Sequence, residues 1–323
     1  MQTDYEAIVI GGNFAGLSAA MMLARARRRV LVLDSGKPRN RFAHASHGFL
    51  GQDGRTPEEI GDIGRTQLLA YPTVSFQAVE AVSAAVVDGV FKIGLADGNA
   101  VTAQRLVLAT GLKDHLPDIP GMKELWGAGV NQCPYCHGYE VADRKIAVFG
   151  TGDWAVHLVR LLRDWSSDVT LLTHGGTWLT AEHRTDLAAL GIGLDETPVA
   201  RLIPSAEKWK ERELAAVEFA NGRTVPYGAL FTAPTTTFAS PLAEQLGCEV
   251  DETPFGTRLR TDAAKETTVP GVFAAGDATL PMANATFASA DGVLAGSSAH
   301  RSLNGEAVRR DLNRAKTESK AQG

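Results

Sequence analysis

Short apolar runs punctuate this chain, and each leads into glycine. Ala7-Ile8-Val9-Ile10 runs into Gly11-Gly12-Asn13-Phe14-Ala15-Gly16, then an alanine-rich stretch, then Val30-Leu31-Val32-Leu33 closing on Asp34-Ser35. A run that is apolar at every position reads as a strand buried on both faces of a parallel sheet, and the glycine turn reads as the opening of a helix. The succession then recurs. Ile146-Ala147-Val148-Phe149 leads into Gly150-Thr151-Gly152-Asp153-Trp154-Ala155, a helical stretch, and Val169-Thr170-Leu171-Leu172 closing on Thr173. Asp34 lies 23 residues after Gly11, and Thr173 lies the same 23 after Gly150. The pattern predicts two βαβ units of equal dimensions.

Turn dipeptides organise the rest. Asp97-Gly98 separates Val90–Leu95 from Val101–Ala109, and Asn221-Gly222 separates Ala216–Phe219 from Leu230–Ala233, which predicts a hairpin in each half. Val272–Ala275 reads as a strand ending in the polar turn Gly276-Asp277, and an Ala/Gly/Ser-rich helix over about 284–303 closes the chain. The fold class that follows is α/β, with two Rossmann-like (three-layer ββα) dinucleotide-binding domains, the second inserted into the first. The predicted boundaries are 1–115 with 242–323 for the first domain and 116–241 for the insert, with Pro117–Pro120 and Pro234–Pro241 as hinges. The polar stretch 311–323 is expected to fray. Trp126, Trp165, Trp178 and Trp209 carry no period and read as packing.

Composition narrows the function. The 323 residues carry 32 Lys+Arg against 37 Asp+Glu, a net charge of −5 that argues against nucleic acid as a partner. Three cysteines, Cys133, Cys136 and Cys248, make no disulfide scaffold. No apolar run of about 18 residues is available to span a bilayer, and the first residues lack a signal-peptide pattern. The expectation is a soluble cytoplasmic protein with no membrane partner.

A glycine turn between strand and helix lets backbone approach a pyrophosphate. In the first copy Asn13 replaces the middle glycine, and asparagine tolerates positive φ better than most residues. Asp34 stands where an acid would bond ribose hydroxyls. In the second copy Thr173-His174-Gly175-Gly176 offers neither that acid nor an arginine for a 2′-phosphate, and Trp154 places a bulky ring in the turn. The site reads as weakened for NADPH; alternatively Trp154 packs inward and Arg184 supplies the charge. Cys133-Pro134-Tyr135-Cys136-His137 is the chemical centre. It admits half a zinc site, a thioredoxin-like motif, or a redox pair serving a bound flavin. The zinc reading lacks two more closely spaced ligands, so no metal is expected, and the thioredoxin reading lacks its own βαβ frame. Cys248, without a partner, reads as a buried apolar residue.

Gly11–Gly16, Ala109-Thr110-Gly111, a cysteine pair just before the second glycine turn, and Gly276-Asp277 together resemble the low-molecular-weight thioredoxin reductase family of flavoproteins over nearly the whole chain. That resemblance implies FAD, with Gly11, Gly12, Asn13, Phe14, Ala15, Gly16, Asp34 and Ser35 around its adenosine half, and with Val82, Ala109, Thr110, Gly111, Gly276 and Asp277 lining the rest. It implies that Cys136 faces the flavin, that Cys133 is the interchange thiol, and that the protein is a homodimer. Two departures, His137 in place of an acid and Thr173-His174-Gly175 in place of a basic run, are similar to the dithiol oxidases that close gliotoxin- and holomycin-type disulfides. Arg39, Asn40, His47 and Gly48 resemble that subgroup's flavin border, and Thr286 matches a flavin-proximal position. What this implies is an FAD-dependent enzyme oxidising a small-molecule dithiol, with His137 as base. The alternatives are an NADPH-dependent reductase of thioredoxin and a non-catalytic flavin-bound redox sensor.

Overall fold

The computed structural model describes residues 3–207, 212–254 and 256–321. Trp209, read above as packing, lies outside them. The chain divides into two compact units, one of Met1–Arg39, Glu58–Lys113 and Thr236–Gly323, the other of Asn40–Pro57 and Asp114–Thr235. Residues 40–57, left inside 1–115 by the sequence pattern, therefore pack with the insert. The reason is tertiary packing: Phe42 packs on the core around Met122 and Trp126, and Arg212 donates to the Phe42 carbonyl at 2.9 Å.

In the first unit a seven-stranded sheet runs in the order Val74–Gln77, Val30–Leu33, Tyr5–Ile10, Ala100–Leu108, Val90–Leu95, Ala81–Val87. Val272–Ala274 pairs in parallel with Leu106–Leu108, while the first half of that long strand pairs antiparallel with Val90–Leu95. Side chains alternate between two cores. Ile8, Leu31 and Leu106 enter one, and Val9, Val32 and Val107 enter the other. Burial on both faces is the physical cause of the uninterrupted apolar runs. Helices Phe14–Arg25 and Ala285–Ala321 contribute to the second core. They approach closely, since a Cβ on Gly292 would stand 2.0 Å from the Ala15 carbonyl oxygen. The closing helix does not fray at 311. It continues to Ala321, because its polar stretch is built from helix formers and carries an Arg314–Glu318 pair at 2.9 Å.

The second unit holds a five-stranded parallel sheet in the order Gly193–Asp195, Val169–Leu172, Ile146–Phe149, Ala229–Thr232, Val130–Asn131. An antiparallel sheet of Val199–Pro204, Leu214–Phe219 and Thr224–Pro226 accompanies it. Asn221-Gly222 thus turns into Thr224–Pro226, not into the predicted partner near Leu230. The latter strand is buried at all four positions and belongs in the parallel sheet, whereas Thr224–Pro226 is a half-exposed edge. Trp126 is buried, and Trp165 and Trp178 pack against the core as expected. Among the described residues no helix is long and apolar enough to cross a membrane.

Candidate functional site

Cys133 and Cys136 are joined in a disulfide with their Cα atoms 5.3 Å apart. Proline opens the single helical turn Pro134–His137, where its missing N–H costs nothing. The Cys136 and His137 amides donate to the Cys133 carbonyl at 3.2 Å, which closes the turn around the pair. The helix has only this one turn, so its dipole at the cysteine pair is small. Gly138 must follow: a Cβ there would stand 2.6 Å from the Pro134 carbonyl oxygen and 3.1 Å from the Trp165 ring. Trp165 also stacks edge-on against Tyr135, whose ring remains largely exposed beside the disulfide.

His137 is half-buried, and burial pushes its titration below the ordinary histidine value of 6.5. Glu140 opposes that shift, while His47 and His44 reinforce it. The imidazole is therefore neutral at pH 7 and able to accept a proton from a thiol. His47 comes from the 40–57 segment, with Nδ1 3.5 Å from Asp53 and Nε2 3.4 Å from Glu140. Asp53 also accepts from the Gly48 amide at 2.8 Å, and that bond lowers its carboxyl's pKa. Sequence reasoning missed Glu140, although its spacing of three residues from His137 was a readable signal.

In the first unit the residues predicted for a nucleotide gather at the carboxyl end of the parallel strands. Gly11 adopts φ +108, and a Cβ on it would stand 2.2 Å from the Ala109 carbonyl oxygen. Asn13 does not use the left-handed region expected of it. Its backbone is extended, and its side chain caps the helix by accepting from the Phe14 amide at 2.7 Å. The Gly12 amide donates to Asp34 at 3.2 Å, and a Cβ on Gly12 would strike that carboxylate. The turn is thus bare backbone leading into a twelve-residue helix through Ala15 and Gly16, with a carboxylate at its flank. This donor set fits a dinucleotide's diphosphate and ribose. Ser35 lies exposed beyond Asp34, and Thr110 and Gly111 follow Ala109 at the end of its strand. Gly276 sits near Ala15, while Asp277 is paired with Arg39 at 2.9 Å. Val82 is exposed on its strand, and Thr286 is exposed at the start of the closing helix, its amide donating to Asn284. Asn40, His47 and Gly48 belong to the second unit.

A buried ion pair holds the Gly276-Asp277 turn. Lys265 Nζ lies 2.9 Å from Asp291 Oδ1, and Asp291 Oδ2 accepts from the Gly276 amide at 2.9 Å and from the Thr279 hydroxyl at 2.7 Å. No local pattern announces Lys265 or Asp291. Cys248 is buried and donates to the Thr267 hydroxyl, and burial pushes its thiol up.

The second glycine turn keeps Gly152 at φ +73, ahead of the helix Gly152–Leu161. Trp154 packs against the unit's core. Arg184 is bound to Glu196 by two bonds of 2.9 and 2.7 Å, so its charge is already matched. His174 accepts from the Val199 amide through Nδ1 at 2.9 Å, a bond that requires this nitrogen unprotonated. Among the described residues no metal-holding cluster occurs.

Sequence and structure comparisons converge on one class. Residues 5–292 match the family model described as pyridine nucleotide-disulphide oxidoreductase. The chain belongs to this family, and it is an FAD-dependent disulfide oxidoreductase of the thioredoxin reductase type. It is 31% identical to the thioredoxin reductase tcpT of Claviceps purpurea, over 92% of this chain and 94% of that one. An oxidoreductase from Agrobacterium tumefaciens is 40% identical and superimposes with a TM-score of 0.86, covering 93% and 98% of the two chains. The crystal structure of HlmI is 38% identical with a TM-score of 0.84, covering 98% and 97%.

Proposed function

We propose that this enzyme oxidises a small-molecule dithiol to a disulfide at Cys133–Cys136, with the electrons leaving through FAD. The observation that carries the reading is His137, a half-buried neutral imidazole directly after the redox pair. In the proposed cycle His137 takes the proton of a substrate thiol, and the thiolate attacks Cys133 Sγ, breaking the bond to Cys136. The substrate's second thiolate then displaces Cys133 from the mixed disulfide, which closes the substrate disulfide and leaves both cysteines reduced. Gly11–Gly16 and Asp34 would hold the adenosine-diphosphate half of FAD, with Ala109, Gly111, Gly276 and Asp277 toward the ring. When bound, FAD supplies a two-electron acceptor for the reduced pair, and oxygen or another acceptor returns it to the oxidised state.

Two features of the second glycine turn support this direction. Its flanking loop carries no arginine, and Arg184, the nearby cation in the sequence, is taken by Glu196. NADPH would find its 2′-phosphate unmatched. The second reading, an NADPH-dependent thioredoxin reductase, is favoured by the names of relatives such as tcpT and by the intact Gly150–Gly152 turn. A homodimer in the cytoplasm suits both readings. Stopped-flow flavin absorbance decides between them. Under the proposed function, a small dithiol bleaches the flavin rapidly and NADPH does so slowly, and serine at either Cys133 or Cys136 abolishes dithiol-dependent bleaching while FAD stays bound. Fast NADPH reduction coupled to thioredoxin turnover would overturn the oxidase direction.

A further inference from the structure

The pair of contacts made by His47 has no role in the cycle above. This imidazole bridges two carboxylates, Asp53 on its own segment at 3.5 Å and Glu140 beyond the redox helix at 3.4 Å. Gly138 continues the helical backbone with φ −70 and ψ −34, and Tyr139–Val141 forms the next turn. Residues three apart on such a turn share a face, so Glu140 and His137 are neighbours. We propose that Glu140 is a positioning residue for the His137 base, held in place by His47, which Asp53 in turn orients. The inference rests on the proposed role of His137.

The physical logic is that of a carboxylate tuning an imidazole. Burial drives His137 toward the neutral form and so weakens it as a base. A nearby carboxylate stabilises the imidazolium formed when the thiol proton arrives, and so restores basicity. The charged and titratable groups whose fields act on His137 are Glu140 from the following turn and His44 and His47 from the 40–57 segment. Of these, only Glu140 favours the protonated ring. A carboxylate that is half in solvent does this effectively only if it is held, and the bridge from His47 provides the holding contact. Asp53 is itself pinned by the Gly48 amide at 2.8 Å, so the chain of contacts ends on backbone.

The test is a pH titration of His137 by NMR in the full-length holoprotein with labelled histidines, its resonance assigned by loss in His137→Ala. In Glu140→Gln the His137 midpoint should fall by about one pH unit, and the acid limb of dithiol-dependent flavin reduction should move the same way. Glu140→Asp, which keeps the charge, should recover most of the shift and serves if the glutamine variant is unstable. In a His47→Gln background the change caused by Glu140→Gln should shrink to about half or less, the mark of coupling. An unchanged His137 midpoint in Glu140→Gln overturns the proposal, and an equal shift in both backgrounds overturns the part given to His47. Failure of the underlying reading looks different, because the midpoint would still move in Glu140→Gln while His137→Ala left flavin reduction unaltered.

Discussion

His137 shows how one side chain's environment sets its chemistry. Exposed, it would be about half protonated near pH 6.5; half-buried, it stays neutral further into acid. The consequence is an acid limb for dithiol-dependent flavin reduction that lies below pH 6.5. A stopped-flow profile from pH 5 to 9 checks this, and a limb well above 6.5 would contradict it. His137→Ala should slow the step by about 100-fold or more near pH 6.5, with less loss at pH 9, where substrate thiols ionise unaided. At this scale the residue types were legible: Cys-Pro-Tyr-Cys-His announces a redox pair and a base. The neighbours that tune the base were not, since His47 precedes it by ninety residues and reaches Glu140 only through the fold.

Among the elements, the turn at Gly276-Asp277 is held by charge buried in the first unit. Lys265 and Asp291 are both about nine-tenths buried, and a buried ion left alone is costly. Lys265→Met should therefore destabilise the protein by about 3–5 kcal/mol, an amount visible in the denaturant midpoint and in retained FAD. Adding Asp291→Asn should recover part of the loss, because the amide oxygen still accepts from the Gly276 amide without carrying charge. If the double variant proves less stable than Lys265→Met by the full cost of a second independent loss, the pair is not coupled. The strands themselves were readable, as the unbroken apolar runs match burial on both faces. The strand that follows Asn221-Gly222 differs from the one the apolar runs suggest, because a turn dipeptide specifies a reversal and not the partner that burial selects.

For the whole molecule, two glycine turns of like spacing fold into two units whose flanking side chains differ. The first joins Gly11–Gly16 to Asp34. The second retains its turn, but its nearby histidine is bonded through Nδ1 and its nearby arginine is already paired with a glutamate. NADPH and NADH should therefore bind with affinities within about threefold of each other, since the extra phosphate gains no matched charge. Calorimetric titration of both nucleotides measures this; a tenfold or larger preference for NADPH would show that some cation does reach the phosphate.

The sequence by itself determined the class. Strand, glycine turn and helix follow from local periodicity and from backbone that must approach a phosphate, and both leave marks within some thirty residues. The cysteine pair is likewise adjacent in sequence, so its bond was within reach of inspection. Only the tertiary structure decided which unit claims residues 40–57, which cations are free and which carboxylates face a base. Phe42 meets Arg212, and His47 meets Glu140, only through folding of distant segments. Burial and charge pairing are properties of surroundings, and surroundings exist only once the chain has packed.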